Sequence, residues 1–269
     1  MDRFNLDNKS IVITGGGGEL GYEHACAILE KYGNPILIDI DKKKLSHQVI
    51  LLEKKFDKKI LNYKCDITSR KELDNCFNLI EKKFDKIDGL INNADINIRF
   101  NQTSKNLRLE NIDLNFWNKH LNIGMTGTML CSSIYYKHLI KKNHKGVIVN
   151  IASDLGIIAP NQNLYKRVKV KDSSQPVKPI SYSAVKHGIV GITKYLATYD
   201  SSRIRCNVLA PGGVKVKDKS FVSKISKLIP LGRMASKDEY RGAIQFLISD
   251  ASSYMNGSTL SIDGGRTIY

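Results

Sequence analysis

Tyr182 and Lys186 stand four residues apart in the stretch Tyr182-Ser183-Ala184-Val185-Lys186. On a helix that spacing puts both side chains on one face, one turn apart. An ammonium beside a phenol favours the phenolate, so the pair predicts a tyrosine drawn below its ordinary pKa of about 10. A phenol tuned that way exchanges a proton with an alcohol or a carbonyl near neutral pH. The pair alone is a weak signal, because many exposed helices carry Tyr-x-x-x-Lys on a solvated face. Its weight depends on what the rest of the chain builds around it.

A second group of residues supplies a partner for that chemistry. Gly15-Gly16-Gly17-Gly18-Glu19-Leu20-Gly21 follows an apolar run, and Gly16, Gly18 and Gly21 satisfy Gly-x-Gly-x-x-Gly. Between a strand and a helix, such a turn lets backbone N–H groups approach a pyrophosphate at the helix N-terminus. Asp39 closes the next apolar run, 18 residues past Gly21. A carboxylate there accepts hydrogen bonds from adenosine ribose hydroxyls and repels a 2′-phosphate, which favours NAD over NADP. No arginine adjoins it, although Lys42 to Lys44 follow closely. Asp39 as N-cap of the helix starting near Lys42 remains the alternative.

The elements that must position these residues follow from periodicity. Buried strands are expected at Lys9 to Thr14, Pro35 to Asp39, Ile60 to Cys65, Ile87 to Ile91, Val147 to Ile151, Ile204 to Leu209 and Thr259 to Ile262. Helices are expected from the glycine turn to about Lys31, from Lys42 to Lys55, and from Ser69, as cap, to about Phe84. Others run from Trp117 to Lys142 (as one helix or two in tandem), from Ser181 to Tyr199 and from about Lys237 to Ser249. Residues 97–110 read as an irregular excursion. Strands apolar throughout, alternating with amphipathic helices, mean a parallel sheet covered on both faces. The fold class is α/β: a single-domain, doubly wound Rossmann-type sheet of seven parallel strands over residues 1–269.

Composition narrows the function classes. The 269 residues suit one large α/β domain, with no apolar run long enough to span a bilayer and no apolar signal-peptide core in Met1 to Leu6. Cys26, Cys65, Cys76, Cys131 and Cys206 are odd in number and widely spaced, which fits reduced, buried thiols in a cytoplasmic protein. No residue set is assigned to a metal. The net charge of +16 suits attraction to nucleic acid, anionic membrane or a phosphorylated substrate. The excess lies in scattered pairs such as Lys58-Lys59, with no basic helix carrying interleaved aromatics, so a lysine-rich solvated surface is preferred to a nucleic-acid or membrane partner.

Taken together, these motifs resemble the short-chain dehydrogenase/reductase family across nearly the whole chain. The matching residues are Thr14-Gly15, Asp66, Asn92-Asn93-Ala94, Asn150-Ile151-Ala152-Ser153, Tyr182-x-x-x-Lys186, Pro211-Gly212, Pro230-Leu231-Gly232-Arg233, Phe246 through Asp250, and Asp263-Gly264-Gly265. The resemblance implies a hydride-transfer enzyme with Ser153, Tyr182 and Lys186 as its catalytic residues. Tyr182 would be the general acid/base, Lys186 would hold the nicotinamide ribose, and Ser153 would hydrogen-bond the reacting oxygen. It also implies cofactor contacts from Gly15, Gly18, Glu19, Leu20, Gly21, Asp39, Tyr182 and Lys186. Asp66 and Ile67 would hold the adenine, Asn93 and Ala94 would line the cofactor with Pro211 and Gly212, and Val214 would meet the carboxamide. Relatives assemble as homotetramers or homodimers through the helices corresponding to about 111–142 and 182–199. More narrowly, Ala159-Pro160-Asn161-Gln162, Tyr165-Lys166-Arg167 and the Ala235 to Tyr240 region resemble members from flagellin-modification and surface-glycan pathways.

Four residues depart from the family pattern. Glu19 stands where the middle glycine belongs and is expected to point away from the pyrophosphate or toward substrate. Asp95 replaces a glycine after Ala94 and would cap the next turn or put a charge beside the cofactor. Val216 replaces a threonine that meets the carboxamide. Gly124 replaces the helix asparagine that supports a proton-relay water, and its backbone carbonyl is expected to be free for that water, giving an altered relay. Asn122 lies two residues away, on another face of the helix, and cannot substitute.

Ser153 and Tyr182 are 29 residues apart, about twice the spacing of many relatives. The insertion, at about 159–180, carries Lys166, Arg167, Lys169 and Lys171 near the active-site mouth. It reads either as a substrate lid gripping a phosphate or carboxylate, or as a basic surface loop. Asp154, Tyr165, Lys166 and Arg167 are the candidate substrate residues. The leading expectation is an NAD-dependent dehydrogenase of a sugar phosphate or nucleotide-linked sugar in surface-glycan biosynthesis. The alternatives are a 3-oxoacyl-carrier-protein reductase, which Asp39 disfavours, and a nucleotide-binding sensor or scaffold that has lost turnover.

Overall fold

A computed structural model describes residues 2–96 and 107–268; most of the expected excursion at 97–110 lies outside them. Seven strands, β1 (Ser10–Thr14), β2 (Asn34–Asp39), β3 (Leu61–Lys64), β4 (Gly89–Asn92), β5 (Gly146–Ile151), β6 (Ile204–Pro211) and β7 (Thr259–Ile262), form one parallel sheet. Their order is β3-β2-β1-β4-β5-β6-β7. Alternate residues of each strand point to opposite faces. Ile11 and Ile13 of β1 join one core with α1 (Glu19–Leu29), α2 (Lys42–Phe56) and α8 (Arg241–Ile248). Val12 joins the other with α3 (Arg70–Glu81) and α5 (Thr128–Lys141). A sheet covered on both faces makes its central strands apolar at nearly every position, which is why β1, β2, β4 and β5 read as continuous runs, while the edge strand β3 keeps Asn62 and Lys64.

The order in which strands are added reverses between β1 and β4. Connections from β1 to β3 run one way and those from β4 onward run the other, opening a crevice at the strands' C-terminal ends. The turn after β1, the segment after β4 and the turn after β5 all end there. Caps sharpen the elements around it. Asp41, not Asp39, caps α2 by accepting from the Lys43 and Lys44 amides. Ser69 caps α3 through the Glu72 amide, as expected. A short α7 (Lys219–Ser226), capped by Asp218, had no counterpart in the sequence reading.

The expected long helix is continuous but not uniform. It runs as α4 (Leu114–Leu121), a π-helical turn (Asn122–Gly127) and α5. Gly124 and Gly127 sit inside the wide turn because neighbours press on it. A Cβ on Gly124 would fall 2.3 Å from Cγ1 of Val185, and one on Gly127 would fall 2.5 Å from Cδ1 of Ile67. Such π turns relieve crowding by adding a residue to the turn. Val185 belongs to α6 (Ile180–Tyr199), the helix that carries Tyr182 and Lys186. Among the described residues no helix is long and apolar enough to cross a membrane. All five cysteines are buried and free.

Candidate active site

The crevice brings the glycine turn and the Tyr182 helix to the same end of the sheet. Gly15 takes φ +65°, and a Cβ there would sit 2.8 Å from Cα of Ala94. Thr14 Oγ1 accepts from the Asn93 and Ala94 amides at 2.9 and 3.0 Å. Asn93 Nδ2 donates in return to the carbonyls of Thr14 and Gly15 at 3.0 and 3.2 Å. A Cβ on Gly21 would lie 2.4 Å from the Gly15 carbonyl oxygen, so the helix start packs directly on the turn. Gly18, the N-cap of α1, supplies no side-chain cap. The first-turn amides of Glu19, Leu20 and Gly21 therefore face the crevice end uncapped, as a pyrophosphate-binding helix start requires. These residues fit a dinucleotide.

Asp39 lies beside that turn with both carboxylate oxygens engaged. Oδ2 accepts from the Gly17 amide at 2.9 Å and Oδ1 from the Asp41 amide at 2.8 Å. A carboxylate offers about four lone-pair sites, so two remain for ribose hydroxyls. The side chain of Glu19 is exposed and pairs with Lys237 at 3.0 Å, away from the amides of its own helix start. Asp66 closes a turn by accepting from the amide and hydroxyl of Thr68, and Ile67 is buried against Gly127. Pro211 ends β6, the Gly212 amide donates to the Ile262 carbonyl at 2.9 Å, and Val214 bridges to Ala235. Val216 packs near Phe221 and Ile225.

Ser153, Tyr182 and Lys186 come together at the crevice end of β5 and α6. The Ser153 hydroxyl is near enough to Tyr182 to favour its charged form. Ser153 Oγ itself donates to Asp154 Oδ1 at 2.7 Å and accepts from the Leu155 amide at 3.2 Å. The buried Lys186 ammonium donates to the Ile151 carbonyl at 3.2 Å and pairs with Asp95 Oδ2 at 2.8 Å. The expected lowering of the Tyr182 pKa is not what the site shows. Burial raises it; Lys186 and the Ser153 hydroxyl oppose that, while Asp95 and Asp154 add to it. The main physical reason is burial of the phenol, which disfavours its charged form more than Lys186 favours it; the Asp95 carboxylate adds to that by offsetting part of the lysine charge.

Asp95 fulfils the capping role foreseen for it and also pairs with Lys186. Oδ1 caps the Ile96 amide at 2.8 Å and accepts from His120 Nε2 at 3.1 Å, while Oδ2 holds Lys186. Burial works to raise its pKa, but Lys186 and His120 overcome that and hold it well below the usual carboxylate range. His120 Nδ1 in turn meets Ser181 Oγ at 2.9 Å. Gly124 differs from expectation: its carbonyl is not free, because Thr128 Oγ1 donates to it at 2.7 Å. A threonine four residues on reaches back to the widened turn's carbonyl.

The insertion is a folded strap, not a loose loop. Gln175 binds the Arg167 amide and the carbonyls of Arg167 and Val170, and Gln162 makes two bonds to the Lys178 backbone. Tyr165 is buried beside Phe221, with ring centroids 5.6 Å apart, and interacts with Asp154 and Tyr182. Lys166 stays exposed, and its carbonyl accepts from Lys224. The cation that reaches the centre is Lys178, whose Nζ lies 3.4 Å from the centroid of the Tyr182 ring. Burial and the nearby Lys186 push its pKa down to about 8, against Asp95 and Asp154. Asp154 is buried and pairs with Arg266 at 3.7 Å; burial raises its pKa.

Sequence reasoning missed Lys178, His120 and Arg266. Lys178 had a usable signal, since it precedes Tyr182 by the same four residues by which Lys186 follows it. His120 and Arg266 had none, because their partners lie 25 to 112 positions away.

A sequence profile described as "short chain dehydrogenase" matches residues 9–169, and one described as "Enoyl-(Acyl carrier protein) reductase" matches residues 170–267. A curated relative from Campylobacter coli, named "Post-translational flagellin modification protein A", is 30% identical over 97% of this chain and 98% of its own. The crystal structure of a short chain dehydrogenase from Leptospira borgpetersenii with bound NAD+ is 29% identical with a TM-score of 0.81, covering 98% of this chain and 94% of that one. The gluconate 5-dehydrogenase of Burkholderia cenocepacia, solved with NADP and tartrate, is 26% identical with a TM-score of 0.84, covering 100% and 98%.

Proposed function

The chain belongs to the short-chain dehydrogenase/reductase family, and from that premise we propose that it is an NAD-dependent oxidoreductase acting on an anionic sugar derivative, a sugar phosphate or nucleotide-linked sugar, in surface-glycan biosynthesis. The observation that carries this reading is the convergence of Ser153, Tyr182 and the buried Lys186, with Tyr182 and Lys186 one helical turn apart on α6. The similarity to a flagellin modification protein supports the pathway.

Bound nicotinamide supplies the hydride acceptor in one direction and the donor in the other. In alcohol oxidation the Tyr182 phenolate oxygen takes the hydroxyl proton as the C–H hydride leaves; in reduction the phenol returns it to the carbonyl oxygen. Ser153 turns its hydroxyl proton from Asp154 Oδ1 toward the reacting oxygen. Lys186, fixed between Ile151 and Asp95, is placed to hold a ribose hydroxyl.

For the substrate anion we assign Lys178 in place of the exposed Lys166. Its ammonium sits over the Tyr182 ring, inside the mouth and within reach of a group next to the reacting carbon. The Burkholderia relative's tartrate, a dihydroxy dicarboxylate, supports a charged polyol. Lys178→Met is expected to lower kcat/KM for the anionic substrate about 10–100-fold, the worth of a hydrogen bond to a charged group. Most of the loss falls on KM, and a neutral analogue loses little. Equal losses on both substrates would remove Lys178 from substrate recognition.

Asp39 supports NAD over NADP. Asp39→Ala also frees the Gly17 and Asp41 amides, so affinity for both cofactors falls as the turn loosens. The ratio cancels that shared loss. The NAD/NADP affinity ratio is expected to drop about tenfold or more, as one repulsive charge at the 2′-phosphate is removed. Calorimetric titration of both cofactors measures it, and an unchanged ratio would strip Asp39 of its role.

Exposed Ile140, Tyr195 and Tyr199 on α5 and α6 support assembly as a homodimer or homotetramer; sedimentation equilibrium decides between these and a monomer. The neutralising Asp95–Lys186 pair favours the second reading, a nucleotide-binding sensor. A panel of sugar phosphates and nucleotide sugars, followed by nicotinamide absorbance, separates the two. Tight NAD binding with no turnover on any substrate supports the sensor.

A further inference from the structure

Behind Lys186 lies a chain of buried polar contacts that the proton transfer at Tyr182 does not itself use. Lys186 Nζ meets Asp95 Oδ2 at 2.8 Å, Asp95 Oδ1 meets His120 Nε2 at 3.1 Å, and His120 Nδ1 meets Ser181 Oγ at 2.9 Å. The four groups come from three places far apart in sequence: the segment after β4, helix α4 and the first turns of α6. Lys186, His120 and Ser181 are 5%, 0% and 2% exposed. Buried polar groups are costly unless each finds a partner, and here each does.

We propose that Asp95 and His120 are positioning residues of the catalytic centre, forming with Ser181 an internal arm that sets how much of the Lys186 charge Tyr182 feels. This rests on the oxidoreductase reading of Tyr182. Asp95 only accepts, so His120 Nε2 carries a hydrogen toward it. With the hydrogen on Nε2, a ring carrying a single N–H leaves Nδ1 to accept from the Ser181 hydroxyl. That bond to Nε2 drains charge from the carboxylate and so weakens its hold on the ammonium. The ring of His120 also stands 6.1 Å from that of Tyr182, which locks the arm to the phenol it controls. The arm reaches the lysine through Asp95, while at Gly124, on the same helical run as His120, Thr128 donates to the backbone carbonyl.

The ionisable groups facing the arm are Lys186 and Tyr182 on α6, Lys178 from the insertion and, across Tyr182, Asp154 after β5. The signs follow from their charges. Removing the Asp95 charge bares the ammonium and favours the phenolate. Removing the His120 donor leaves a harder carboxylate against Lys186 and disfavours it.

The test needs neither cofactor nor substrate. Proteins with carbon-13-labelled tyrosine are titrated by NMR, with Tyr182→Phe identifying the Tyr182 signal. Asp95→Asn is expected to bring phenolate formation down by about one pH unit or more, tenfold in phenolate at a fixed pH below the titration. His120→Leu is expected to move it up, and His120→Gln, whose amide still donates to Asp95, to restore it. Opposite shifts with rescue by glutamine support the arm. Shifts of one sign in both Asp95→Asn and His120→Leu, or none, overturn it. If Asp95→Asn does not fold, the contrast between leucine and glutamine at His120 decides alone. Absence of turnover on every substrate would sink the oxidoreductase reading and leave these titrations standing, so the two failures are distinguishable.

Discussion

Tyr182→Phe is expected to reduce turnover by about 10²–10⁴-fold, the usual worth of a positioned general acid/base, and to leave cofactor affinity unchanged. Phenylalanine keeps the ring that Lys178 lies over and that faces His120, so the packing of the site survives. What goes is one oxygen, the ionisable atom of that side chain, whose charged form Lys186 and Ser153 favour. Ser153, Lys186 and the glycine turn remain, and with them any binding of nucleotide. The loss should appear in kcat at every substrate concentration, with little change in KM, because the oxygen matters most in the transition state. Turnover within a few-fold of the unmodified protein would end the assignment. A parallel fall in cofactor affinity would instead show that the oxygen holds the nucleotide.

Sequence patterns made the scaffold of that site legible and left its charge balance hidden. The central strands could be read because a sheet covered on both faces is apolar on successive residues, as in Ile11-Val12-Ile13. The glycine turn could be read because close approach leaves no room for a Cβ at Gly15 or Gly21. Ser153, Tyr182 and Lys186 came from local spacing and resemblance. Asp95 was visible as a departure, yet its effect depends on where Lys186 and His120 end up, 91 and 25 residues away. No local spacing encodes that, nor the burial of the phenol that does most to raise the Tyr182 pKa, which is why it was expected to move the other way. The insertion misled for a similar reason. Its charge density pointed to Lys166 and Arg167, but the bonds of Gln162 and Gln175 fold the strap so that Lys178 is the cation delivered to the ring. The missed helix α7 is short, and its polar residues hid the two apolar anchors, Phe221 and Ile225.

The other large effect is expected where restoring a family residue does harm. Gly124→Asn puts back the asparagine that relatives use for a relay water, and a reading by resemblance alone predicts a gain. The packing predicts a loss. The new Cβ would fall 2.3 Å from Val185 Cγ1 and 3.2 Å from Cγ2, and Val185 is fully buried among Ala152, Ile189 and Val208. Either the π turn or α6 must move. Overpacking of this kind costs about 1–3 kcal/mol, enough to lower Tm by several degrees. Val185 adjoins Lys186 and lies three residues past Tyr182, so a shift of about 1 Å in α6 reaches the catalytic pair and costs about 10²-fold in turnover. Val185→Ala removes both colliding methyl groups, so in the Gly124→Asn background it should recover most of the lost Tm and activity, although alone it leaves a cavity and destabilises. That non-additivity is the signature of direct contact, read from thermal melts and kcat across the four proteins of the cycle. A Gly124→Asn protein that is both as stable as the parent and faster would mean that the collision is relieved without moving α6, and that the site has room for the water its relatives employ.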